Sequence, residues 1–70
     1  MNAIKKAVEI IGGQTKTAKH FEIRQSHVWK WINVNGQAPA KYIKKVSELT
    51  DGKVSVKELL ADHENNQAKG

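Results

Sequence analysis

Apolar residues recur along this chain at helical rather than strand spacing. Ile4, Ala7, Val8 and Ile11 fall at i, i+3, i+4 and i+7, one face of an amphipathic helix, with Lys5, Lys6 and Glu9 off that face. Gly12-Gly13 ends it, because either glycine can take the left-handed backbone that closes a helix. The stretch from Gln14 to Phe21 has Thr15 and Thr17 near its start and Ala18 and Phe21 three apart, which predicts a short second helix of about two turns. After Glu22-Ile23, a third helix beginning at Arg24 or Gln25 has Val28, Trp31 and Ile32 on its inner side and a polar outer side. Asn33-Val34-Asn35-Gly36 breaks the pattern, since Asn and Gly both favour turns.

Pro39 suits the first position of a fourth helix, whose apolar stripe is Tyr42, Ile43, Val46 and Leu49 and whose stop is Asp51-Gly52. Ser55 and Glu58 have capping-box spacing ahead of Leu59-Leu60, which predicts a last helix of one or two turns. Val54 and Val56 alternate, so a short strand over residues 53–56 competes there. From Asp62 on, the chain is polar without period and reads as a disordered tail. The expectation is one compact all-α domain of five helices over residues 1–61, followed by a flexible tail over 62–70.

Size and composition narrow the function classes. Seventy residues make one small domain with little room for a catalytic cavity. With no cysteine, disulfide scaffolds, Cys-ligated zinc modules and thiol nucleophiles are excluded. Apolar runs such as Ile10-Ile11 and Leu59-Leu60 are far too short for a membrane span or a signal peptide, so the expected location is the cytoplasm. His20 and His27 lack a third ligand at metal-site spacing. Gly12-Gly13-Gln14-Thr15-Lys16-Thr17 faintly suggests a phosphate loop, but no Gly precedes the Lys and no strand leads in. No serine lies in a nucleophile-elbow motif, and no enzyme, cofactor or small-molecule ligand is expected.

Charge points to a polyanion. The net charge is +5, and residues 14–45 alone hold seven basic side chains against Glu22, a local +6. That span coincides with the second to fourth predicted helices. Two short helices joined by a tight turn, the second with a polar outer face, are the parts of a helix-turn-helix. Ala18 lies where the two helices would cross, and Ile23 plugs the turn. With Val28 and Ile32 inward, a 100° step per residue turns Ser26, Lys30 and Asn33 outward, flanked by His27 and Trp29. Trp31 reads as core. Trp29 reads equally as a packing residue or a DNA contact.

Gly13-Gln14-Thr15-Lys16-Thr17-Ala18-Lys19, followed by Gln25-Ser26 and Lys30 at matching intervals, resembles the helix-turn-helix of the phage Cro family, typified by phage lambda Cro. The likeness covers roughly residues 12–36 and extends weakly through Asp51-Gly52, Val54, Glu58 and Leu59. From Gly36 on, Pro39-Ala40 and Asp51-Gly52-Lys53-Val54 look more like all-helical Cro and YdaS-type prophage regulators. The resemblance implies a lambda-repressor-like, helical DNA-binding domain acting as a transcriptional repressor on double-stranded operator DNA, as a homodimer. It implies base contacts from Gln25, Ser26 and Lys30, with Arg24, His27 and Trp29 beside them, and phosphate contacts from Gln14, Thr15 and Lys19. Lys16, Asn33 and Lys41 extend the expected phosphate set. The chemistry agrees: Gln can bond an adenine edge through two groups, Lys can donate to guanine, and Ser serves either. Three positions depart from the family pattern: Glu22 stands where glycine is frequent, Trp29 where residues are polar, and Arg24 where an aromatic is usual. Two other classes fit a basic helical chain: an antitoxin-like protein-interaction module using the fourth helix and the tail, and a membrane-surface binder using the lysines of the fourth helix.

Overall fold

The computed structural model describes residues 2–69, with side chains through residue 64. Within them every regular element is helical. The order is α1 (Ala3–Ile11), α2 (Gln14–Phe21), α3 (Gln25–Lys30), a π-helical continuation (Trp31–Asn35), a 3-10 turn (Ala40–Tyr42), α4 (Ile43–Leu49) and α5 (Val56–Lys69). The residues at helical spacing supply the core: Ile4, Ala7 and Val8 from α1, Ala18 and Phe21 from α2, Val28 and Trp31 from α3 and its extension, Ile43 and Val46 from α4, Leu59 from α5.

Helix ends are satisfied by side chains and by left-handed residues. Asn2 caps α1 by accepting the Lys5 N–H at 2.9 Å. At its other end Gly12 takes φ 124°, a conformation that disfavours a side chain, and its N–H returns to Val8. The turn between α2 and α3 is made by Glu22 at φ 56°, ψ 40°, with the Ile23 N–H donating to the Ala18 carbonyl at 3.1 Å. Asp51 repeats this device after α4, also at φ 56°.

Three aromatic rings knit α2, the π-helical continuation of α3 and the 3-10 turn that leads into α4. Phe21 meets Trp31 edge-on at 5.7 Å, and Tyr42 lies 4.8 Å from Phe21 and 5.5 Å from Trp31. Lys45 on α4 donates to the His20 carbonyl at 2.9 Å, neutralising the negative end of α2, while its ammonium sits 5.0 Å over the Phe21 ring. A cation and a ring therefore hold α4 against the C-terminal end of α2.

Four expectations are corrected. The third helix does not break at Asn33: it runs on as a π-helical turn to Asn35 and closes at Gly36, φ 66°, whose N–H reaches the Trp31 carbonyl. The fourth helix begins as a 3-10 turn after Pro39, with regular α geometry from Ile43. No strand forms over residues 53–56: residues 53–55 are an irregular link and Val56 opens α5, because buried Thr50 accepts the Val54 N–H at 3.1 Å and draws that segment onto α4. The expected capping box is present, with the Glu58 N–H donating to Ser55 Oγ at 3.1 Å. The polar segment from Asp62 does not start as a free tail. Asp62 and His63 lie within α5, Asp62 is buried, and His63 Nε2 lies 2.7 Å from the Ala38 carbonyl. Polar composition concealed these residues because their partners lie far away in sequence.

Candidate nucleic-acid interface

Sequence spacing placed Val28 inward, and Val28 is fully buried. Ser26 and Lys30, opposite Val28, are exposed, as are His27 and Trp29 on its flanks and Arg24 and Gln25 at the start of the helix. Trp31, two residues from Trp29, is spent in the aromatic cluster, so the two tryptophans part company as core and surface. At 47% exposure Trp29 is a large apolar group on an otherwise polar face.

Gln25 opens α3 and its Nε2 donates to Gln14 Oε1 at the start of α2. This bond joins the two helix N-termini and orients both amides. The cap of α2 is Gly13, which offers no side-chain acceptor, and the first bond of the helix runs from the Thr17 N–H to the Gly13 carbonyl at 3.0 Å. The N–H groups of Gln14, Thr15 and Lys16 thus point out of the helix end, an arrangement suited to an anion. The Lys16 stem lies across Gly12, so close that a Cβ there would stand 2.7 Å from Lys16 Cδ.

The expected phosphate set divides in space. Gln14, Thr15 and Asn33 share the wall of one cleft of ≈ 430 Å³, together with Lys5, Glu9 and Val8. Asn33 also donates to the Trp29 carbonyl at 3.1 Å, which ties the π-helical turn to the outer face of α3. Lys16 and Lys19 are exposed on α2, whereas Lys41 lies on the 3-10 turn with its ammonium 5.1 Å over the Tyr42 ring. Lys45, basic and beside them in sequence, is engaged internally with His20 and Phe21. Nothing in local spacing distinguished Lys45 from Lys41 or Lys44; its partner lies 25 residues away.

The fourth helix is not an open apolar surface. Ile43 and Val46 are buried and Leu49 packs against the core. Among the described residues no helix is long and apolar enough to cross a membrane, and no group of three or more His, Cys, Asp or Glu is placed to hold a metal.

An all-helical small domain that displays one basic, polar helix face beside an uncapped helix end is the class of protein defined here. Residues 4–68 match the family described as bacterial toxin YdaS, and the chain belongs to that family. Neither a curated protein nor a solved structure matches it. The match supports the YdaS side of the expected resemblance, that of a small prophage-type regulator or toxin–antitoxin-like protein.

Proposed function

We propose that the chain is a sequence-specific DNA-binding repressor of prophage type, in which α2 and α3 act as a lambda-repressor-like helix-turn-helix. The observation that carries this reading is the outer face of α3: six consecutive or near-consecutive side chains from Arg24 to Lys30 stand exposed around buried Val28, beside the open N-terminus of α2. In this docking the first turn of α3 enters the major groove, Gln25 and Ser26 meet base edges, and Lys30 donates to guanine. Arg24, His27 and Trp29 flank them. The amides of α2, with Gln14, Thr15, Lys16 and Lys19, take phosphate oxygens, as do Asn33 and Lys41.

Repression is steric. A homodimer covering a two-fold operator in the bacterial cytoplasm would exclude polymerase, with no cofactor. Selection from random duplexes followed by titration against salt tests this: a preferred site and a steep negative slope are expected. Enrichment of no sequence would sink the repressor reading.

The family's description favours a second reading, a member of a toxin–antitoxin pair. Burial of Ile43 and Val46 counts against the fourth helix as its docking surface.

A further inference from the structure

Gln25, Trp29 and Asn33 stand four residues apart and form one row along α3 and its π-helical continuation, all three exposed. The two polar members are tied down on the side of α2. Gln25 donates to Gln14 at the start of α2, and Asn33 reaches back to the Trp29 carbonyl while sharing a cleft with Gln14 and Thr15. Trp29 stands between them, its ring outside the aromatic cluster that holds Trp31. Of the two large hydrophobic residues in α3, Val28 is buried and Trp29 is not. We propose that Trp29 reads a 5-methyl group: the operator carries a thymine against this ring, on the strand whose phosphates lie at the N-terminus of α2. The assignment rests on the DNA-binding reading above and names the kind of base pair that its site selects.

The argument is one of chemistry and of place. Among the groups that base pairs show in the major groove, the thymine methyl is the apolar one; the others donate or accept hydrogen bonds. It stands at the outer edge of its pyrimidine, beside the backbone of its own strand, whereas the exocyclic oxygens and amines lie toward the middle of the groove floor. A side chain on the phosphate-side flank of the reading helix therefore meets that methyl before any polar base group. Trp29 occupies this flank, because the row it shares with Gln25 and Asn33 is the one fastened toward the N-terminus of α2. The neighbouring row, Ser26 and Lys30, carries the hydrogen-bonding side chains and faces the middle of the groove. Covering one methyl group with an apolar ring contributes about fourfold in affinity.

Uracil pairs as thymine does and lacks only the methyl, so it isolates the contact. In the site enriched from random duplexes, each thymine is replaced by uracil in turn and binding of the full chain is titrated. One thymine per half-site should account for a loss of about fourfold, and at that position 5-methylcytosine should bind more tightly than cytosine by a similar factor. Trp29→Ala should weaken binding to the thymine duplex and bind the thymine and uracil duplexes alike. Trp29→Leu, which keeps an apolar group, should retain part of the discrimination. A merely structural role for Trp29 would lower binding to both duplexes by one factor and leave their ratio unchanged. Site-specific binding indifferent to every uracil substitution, or a methyl dependence that persists in Trp29→Ala, overturns the proposal and leaves the DNA reading in place. Enrichment of no sequence removes that reading and the assignment of Trp29 with it.

Discussion

The carboxylate of Asp62 accepts the backbone N–H of Ile4 at 3.0 Å and that of Ala3 at 2.9 Å, joining the last helix to the first turn of α1 across 58 and 59 residues of chain. A negative group at a helix N-terminus satisfies donors that have no partner within the helix and sits favourably in the helix dipole. Asp62 is 5% exposed, so water cannot replace it. Asp62→Ala is expected to cost about 2–3 kcal/mol, because it strands two donors at a buried position. Asp62→Asn, which keeps one acceptor oxygen, should lose less. Urea unfolding of the two variants measures the difference, and equal stability of all three proteins would refute the capping role.

Glu22 is expected to be a site of stored strain. Its left-handed backbone costs a residue with a side chain roughly 1 kcal/mol relative to glycine. Glu22→Gly should raise the melting temperature by a few degrees, given about 4–8 °C per kcal/mol in a domain of this size. Asp51→Gly should gain less despite the same φ, since aspartate tolerates this region better. Calorimetry of both variants checks the order.

Lys30 and Lys19 should fail in different ways. Lys30→Ala is expected to relax preference at one operator position at a cost of about 1–3 kcal/mol, and Lys19→Ala to weaken every sequence alike and flatten the salt slope by about one. Binding measured on the preferred site and its single-base variants separates the two. Uniform losses from both would contradict the base-contact assignment of Lys30.

The tryptophans offer a spectroscopic contrast. Trp31→Ala removes a ring packed on Phe21 and Tyr42 and should cost about 3–5 kcal/mol, enough to unfold much of the population. Trp29→Ala should change stability by less than about 0.5 kcal/mol. In Trp31-only protein the fluorescence should resist acrylamide, and in the intact chain the quenchable fraction should fall on adding operator DNA. A quenchable fraction that DNA leaves unchanged would remove Trp29 from the interface.

Local pattern revealed what local forces decide. The 3.6-residue period located the first four helices and the Ser55–Glu58 box the start of the fifth, which runs well past the one or two turns expected of it; Ala18 and Val28 stand where spacing put them. Glu22 was marked only by the family resemblance, as a residue standing where glycine is frequent; its left-handed backbone shows why glycine suits that position. Long-range partners were not legible. Asp62, His63 and Lys45 look like ordinary solvated polar residues until the fold brings Ile4, Ala38 and His20 beside them. Thr50 is buried for a related reason: its hydroxyl both donates to Ser47 and accepts from Val54, so it closes the turn between α4 and α5. Within the candidate interface, spacing foretold which side chains face outward, but the Gln14–Gln25 bond and the cleft shared with Asn33 depend on how α2 packs across α3.

The π-helical turn from Trp31 to Asn35 bears on how this chain can vary in length. A π turn holds one residue more than the α turn it replaces, so it behaves as an insertion already absorbed by the helix. Val34 within it is 65% exposed. Deleting a residue there would let the helix reach Gly36 with ordinary geometry while Trp31 stays in its aromatic cluster. The far end of α3 is thus expected to tolerate the loss of one residue without reopening the core.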